Sequence, residues 1–250
     1  MLLKIKHILP LAILTIAFSA CKKDHWNDLF KPTGHDETRL REVSGFNKIK
    51  LFDKIDVYVT QGPVYQVKVE AGSNLHIGIV TDVDSDSALV IKNENKCNFI
   101  RSQSKKIKVF VTAPHFYFFT NKGTGNIYCN SVLNEDTVQC YLESSGDIHL
   151  NINSYTLRTS SHGDGDVYVE GNCFNSFNYL NGTNILEMRE CTVTDYMYVT
   201  THSVCNAHVK APEGKLFEGD ISSNGNVYYT GNPGAINFKN SGGKGQVIKE

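Results

Sequence analysis

Four short stretches of the chain repeat one another: GTGNIYC at 123–129, SSGDIHL at 144–150, GDGDVYV at 163–169 and NGNVYYT at 224–230. Aligned on the apolar residue after the short polar one, the series runs Ile127, Ile148, Val167, Ile185, Ala207, Val227 and Val247, a period of about 20 residues. One position earlier stand Asn126, Asp147, Asp166, Asn184, Asn206, Asn226 and Gln246. Two positions earlier stand Gly125, Gly146, Gly165, Thr183, Cys205, Gly225 and Gly245. Glycine followed by Asn or Asp is turn chemistry, because glycine accepts positive φ and the short polar side chain bonds its own backbone. After each turn apolar and polar residues alternate, as in Val167-Tyr168-Val169, the period of a strand with one buried face. A second short strand precedes each turn, at Val138–Leu142, Tyr155–Arg158, Phe177–Leu180, Tyr196–Val199, Leu216–Phe217 and Ile236–Phe238.

A unit this small cannot bury an apolar face alone, so its neighbours must cover it by stacking. The expectation is an all-β parallel β-helix-like solenoid with coils of about 20 residues and rungs about 4.8 Å apart. The alternative is an antiparallel β-sandwich that uses the Gly-Asn and Gly-Asp pairs as hairpin turns. A sandwich predicts turn signals but no register between distant units, whereas here one chemistry returns in register from Gly125 to Gly245.

The register predicts what faces outward. One residue past the anchors stand Tyr128, His149, Tyr168, Leu186, His208, Tyr228 and Ile248. If anchors point inward these point out, so Tyr128, His149, Tyr168, His208 and Tyr228 form a candidate binding ridge for sugar rings or a partner's aromatics. Stacked rings also stabilise neighbouring strands, at roughly 0.2–1 kcal/mol a pair. Leu186 interrupts the ridge, and Glu187 would then face inward, which points to a one-residue shift in the fourth unit. Asp147 and Asp166 fall in adjacent coils, where two carboxylates could hold calcium or split their pKa values. The Asn-rich remainder of that column reads instead as an amide ladder. No Arg or Lys recurs beside these acids, and neither a catalytic residue nor a metal site is assigned.

The first twenty residues read as an export signal: Lys4 and Lys6, then an apolar run from Ile8 to Phe18 too short to span a bilayer. The run ends Phe18-Ser19-Ala20-Cys21, which resembles the lipobox of bacterial lipoproteins and makes Cys21 the expected lipidation site. The expected organisation is a signal peptide over 1–20, a flexible tether over 21–45 and one domain over 46–250. Membrane contact would come through the lipid anchor. Without residues 1–20 the chain loses two of its 25 basic residues and no acid, leaving 23 against 26. That balance argues against a nucleic-acid partner.

Six further cysteines, Cys97, Cys129, Cys140, Cys173, Cys191 and Cys205, show no CxxC spacing. Cys173 and Cys191 each lie six residues past an anchor and should stack on neighbouring rungs, as a buried thiol ladder. His25, His35 and His76 read as solvated loop residues, and no HxxxH or HxH pair occurs.

The blocks Phe46-Asn47-Lys48-Ile49, Ile55-Asp56-Val57-Tyr58-Val59-Thr60-Gln61-Gly62 and the closing Gly225-Asn226-Val227-Tyr228-Tyr229-Thr230-Gly231-Asn232-Pro233 carry a further signal. In this order the chain resembles the "putative auto-transporter adhesin, head GIN domain" family, common among lipoproteins of Bacteroidetes-type bacteria, from about Phe46 to Lys249. The resemblance implies a right-handed β-helix-like fold and export to the cell envelope, and says little about activity. His115-Phe116-Tyr117-Phe118-Phe119 and the six cysteines depart from it. The expected function is non-enzymatic and needs no cofactor: an adhesin-like or structural envelope lipoprotein, outer-membrane or surface located, meeting a surface glycan or protein. A carbohydrate-binding or carbohydrate-active protein is the alternative. The last coil, around Gln246–Ile248, should leave an open strand edge unless it is capped or self-associates.

Overall fold

The structure, a computed structural model, describes residues 33–95 and 106–250. Cys21, Cys97, His25 and the signal segment lie outside the described residues. The remainder is built from nineteen strands in one continuous hydrogen-bonded network. In chain order these are β1 (Asp36–Arg41), β2 (Lys48–Leu51), β3 (Ile55–Gln61), β4 (Gln66–Gly72), β5 (Ile79–Val83), β6 (Ala88–Asn93) and β7 (Ile107–Ala113). They continue as β8 (Phe118–Asn121), β9 (Ile127–Cys129), β10 (Leu133–Leu142), β11 (Ile148–Ser161), β12 (Val167–Leu180) and β13 (Leu186–Met188). The last are β14 (Cys191–Thr201), β15 (Ala207–Lys210), β16 (Leu216–Ile221), β17 (Val227–Thr230), β18 (Ala235–Asn240) and β19 (Val247–Lys249).

Among β8 to β19 every pairing of one with another is parallel and joins residues about one coil apart, such as Ile148 with Val167 and Val227 with Val247. The chain is therefore a β-solenoid, and the sandwich is excluded. β11 and β12 run through a corner and pair on both sides of it: the start of β11 lies on β9, and its later part on β10. One apolar core fills the interior, with Ile127, Ile148, Ala207 and Val227 fully buried. The Ile and Val side chains among them each contribute about 1.5–3 kcal/mol when buried.

The N-terminal third does not follow chain order. β2 and β3 are flanked on one side by β6 and β7 and on the other by β8 and β9. The chain thus lays one coil, adds the next outside it, then returns to continue from the opposite face. The outer end is closed antiparallel: β5 on β6, and β4 on β7 with β1 beyond. This corrects the tether reading for residues 36–41, which are a strand registered from Asp36↔Gly72 to Arg41↔Val67. At the other end β18 pairs with β16 and β19 with β17, and no described strand pairs beyond them.

One further expectation needs correction and another holds. The glycines of the turn column do not sit at positive φ. Instead, a Cβ on Gly125 would lie 2.0 Å from Ile55 O, one on Gly146 2.0 Å from Gly125 O, and one on Gly225 1.9 Å from Cys205 O. The column is glycine because successive coils approach there backbone to backbone. The fourth unit is indeed shifted: Leu186, not Ile185, pairs with Val167 and Ala207, so Glu187 joins the outward column. The fault is local, since Asn184 occupies the glycine position with its side chain buried. Its Nδ2 donates to Gly163 O (2.9 Å) and its Oδ1 accepts from Ser161 Oγ (2.7 Å).

Candidate functional site

The rings expected to face outward do stack, in a file longer than the sequence reading made it. Phe110, Tyr58, Tyr128, His149 and Tyr168 stack in one file, with ring centroids 5.1, 5.3, 4.8 and 4.5 Å apart and interplanar angles of 24° or less. Glu187 interrupts the file, paired with Arg189 at 2.6 Å, and His208 and Tyr228 resume it at 5.0 Å. These rings are half-buried because each covers its neighbours' faces. Ring edges, not faces, remain for a ligand. Burial outweighs Asp147 and Asp166 at His149 and holds its pKa below the ordinary value.

The polar column beside the ridge is a ladder of side-chain caps. Asn126 N–H donates to Asp56 Oδ1 (3.2 Å), Asp147 N–H to Asn126 Oδ1 (2.9 Å), Asp166 N–H to Asp147 Oδ1 (2.9 Å) and Ile185 N–H to Asp166 Oδ1 (2.8 Å). The isoleucine side chain cannot accept, so the ladder stops and restarts with Asn226 N–H on Asn206 Oδ1 (3.0 Å). The remaining Asp166 oxygen accepts from Tyr168 Oη (3.2 Å). The two carboxylates are thus occupied in joining one coil to the next. Their chemistry is that of a structural acceptor.

Cys173 and Cys191 are both buried free thiols, but Cys191 lies opposite Gly171 and Cys173 opposite Val193. The one-residue slip at Leu186, with one more residue gained before Cys191, displaces the predicted direct stack into a diagonal one. The Cys191 hydrogen bond, then burial, push the Cys173 thiol up. Burial takes Cys140 up to about 12. His76, read as solvated, is 1% exposed, with Nε2 against Glu37 O at 3.1 Å.

A second outward surface lies on the other sheet. Register places Phe118, Gln139, Arg158, Phe177 and Tyr198 in one column and Tyr141, Ser160, Tyr179 and Thr200 in the next. Between them opens a cleft of about 360 Å³. Phe116 and Phe119, from the segment that departs from the family, are core residues, while Phe118 of the same segment lines this cleft. The Arg158 guanidinium sits 4.6 Å over the Phe177 ring. Tyr141, His162, Tyr179 and His202 form a tilted ring series along its border, at 5.0, 5.3 and 5.3 Å. The sequence reading overlooked this surface. The signal that could have found it is the recurrence of Gln139, Arg158, Phe177 and Tyr198 at the coil period.

Comparison with known proteins agrees with the geometry. The model of the family described as "Putative auto-transporter adhesin, head GIN domain" matches residues 45–233. A crystal structure of a putative adhesin from Bacteroides fragilis is 20% identical, covers 88% of this chain and 100% of its own, and superposes with a TM-score of 0.79. Two from Parabacteroides distasonis, described as a putative lipid binding protein and a putative adhesin, each reach 0.67. They are 18% and 19% identical, with 88% of this chain and 99% and 100% of theirs covered. At these identities the likeness is one of fold. No curated protein matches the chain.

Proposed function

Because the chain belongs to the family described as "Putative auto-transporter adhesin, head GIN domain", we propose that it is an adhesin-like envelope protein, held to the membrane through acylated Cys21 and catalysing no reaction. The observation that supports this reading most directly is how the outward columns are used. Asp147, Asp166 and the stacked rings are committed to their neighbours in adjacent coils. The result is a solenoid surface of ordered side-chain columns, suited to holding a partner and not to turning over a substrate. Among the described residues no helix is long and apolar enough to cross a membrane. An anchor at Cys21 holds stably when more than one acyl chain is present.

The test is metabolic labelling with an alkyne-bearing fatty acid, together with protease treatment of intact cells. Labelled wild-type protein, unlabelled Cys21→Ala and loss of the domain to external protease are expected. Unlabelled wild-type protein removes the anchor, and full protease resistance removes the surface location. A second reading, carbohydrate binding, is favoured by one observation, the ring-lined cleft over Arg158.

A further inference from the structure

We propose that the cleft lined by Phe118, Tyr141, Arg158, Phe177, Tyr179 and Tyr198 binds an acidic glycan, with the Arg158 guanidinium taking a uronate-type carboxylate. This inference rests on the carbohydrate-binding reading and places it on a surface other than the ridge.

Three observations carry it. The first is the state of Arg158. It is exposed and has neither an ion pair nor a hydrogen-bond partner among the described residues; its recorded contact is the Phe177 face at 4.6 Å. The other described arginines are engaged: Arg39 with Glu37, Arg41 with His76 O, and Arg189 with Glu187. Stacking on Phe177 holds the guanidinium plane in place and leaves its N–H fork free, and that fork matches a carboxylate in bidentate fashion.

The second is the relief of the surface. Down one column Tyr141, Ser160, Tyr179 and Thr200 alternate large and small on successive rungs. The small residues leave notches walled by rings, and flat apolar faces beside hydroxyls suit pyranose rings. His162 marks the border, with its Nε2 and Ser160 Oγ 2.9 Å apart.

The third is length. Phe118, Gln139, Arg158, Phe177 and Tyr198 occupy five consecutive rungs, so the cleft runs about 19 Å at a rise of about 4.8 Å per rung. That rise is close to the length of one sugar residue in an extended chain, and such a groove holds several. An acidic peptide would satisfy Arg158 equally, but an extended peptide has no ring to place in successive notches.

The test is calorimetric titration of the detergent-extracted mature protein with tetragalacturonate, maltotetraose and tetraglutamate. Saturable binding of tetragalacturonate is expected, at least about tenfold tighter than the neutral tetrasaccharide, since a charge-assisted pair is gained. Arg158→Gln, an exposed position where loss of the Phe177 contact should cost no more than about 1 kcal/mol of stability, should weaken it about tenfold. Tyr179→Ala should weaken it as well, and Tyr128→Ala, on the ridge, should leave it unchanged. Absence of saturable uronate binding overturns the proposal. So do equal affinity for maltotetraose, an unaffected Arg158→Gln protein, or preference for tetraglutamate. The assay uses purified protein, so it is independent of acylation and cell location. Failure of the Cys21 labelling would leave it standing, and the reverse holds too.

Discussion

The glycine column makes a sharp prediction at Gly146. A methyl group there would lie 2.0 Å from Gly125 O, more than an ångström inside ordinary contact at 3.4 Å, and 2.8 Å from Gly125 C. The obstruction is backbone, with no flexible end to swing aside, so the two coils must part locally. Overpacking of this kind costs about 1–3 kcal/mol. Parting the coils also loosens three bonds: Gly146 N–H to Gly123 O (3.2 Å), Asp147 N–H to Asn126 Oδ1 (2.9 Å) and Ile127 N–H to Asp147 O (2.9 Å). At about 1 kcal/mol each when lost, and less when only stretched, they bring the cost to about 3–5 kcal/mol. Stiffening of the unfolded chain by alanine returns only about 0.4–1 kcal/mol, so the clash wins. For a domain of this size each kcal/mol lowers the melting temperature by about 2–4 °C, which predicts a fall of about 4–18 °C for Gly146→Ala. Gly214→Ala is the control, because its φ is +68° and nothing lies within 4 Å of the added methyl. It carries only the left-handed strain of roughly 1–2 kcal/mol. Thermal melts followed by circular dichroism compare the two. If Gly146→Ala melts within about 2 °C of Gly214→Ala, close coil approach is not why the column is glycine.

Three further outcomes follow from the same structure. Asp147→Ala removes the acceptor for Asp166 N–H and should cost about 1–2 kcal/mol in urea unfolding, while Asp147→Asn, which keeps a carbonyl oxygen, should stay within about 0.5 kcal/mol of the parent; equal losses would separate the ladder from stability. His76 and His149 are held below the ordinary imidazole value of 6.5, in both cases chiefly by burial. The unfolded chain therefore binds more protons, so their contribution is complete above about pH 6.5 and declines as pH falls below it. Urea midpoints should drop between pH 7 and 5.5, less steeply in His76→Asn, and a flat profile in the parent would contradict the assignment. Cys140, Cys173 and Cys191 are buried thiols and should resist iodoacetamide at pH 8 until urea unfolds the chain; rapid labelling of the folded protein, or a 173–191 bridge in unreduced mass spectra, would show the core wrongly assigned.

Much of the architecture was legible because the fold is periodic. Each coil solves the same local problem every twenty residues or so, and Ile127, Ile148, Val167, Ala207 and Val227 announce both the interval and the buried face. The caps at Asn126, Asp147 and Asp166 were readable as a ladder for the same reason. Where the chain breaks its own interval, the slip at Ile185 and Leu186 was legible from Glu187, but the further residue gained before Cys191, which turns a direct stack into a diagonal one, was not. Legibility failed also at the cleft, whose residues keep the interval but carry no shared chemistry from coil to coil.

By itself, then, the sequence determined the coil length, the inward anchors and the outward ring file, since these depend on alternation and on identical neighbours one period away. Tertiary structure alone decided that β6 and β7 lie outside β2 and β3, that β1 and β4 close the end antiparallel, and that Arg158 meets the Phe177 face. The physical reason is that inward–outward alternation is the same in parallel and antiparallel strands and in any order of coils. Which edge a strand joins is set by hydrogen bonds and packing between distant segments, and no local pattern records them.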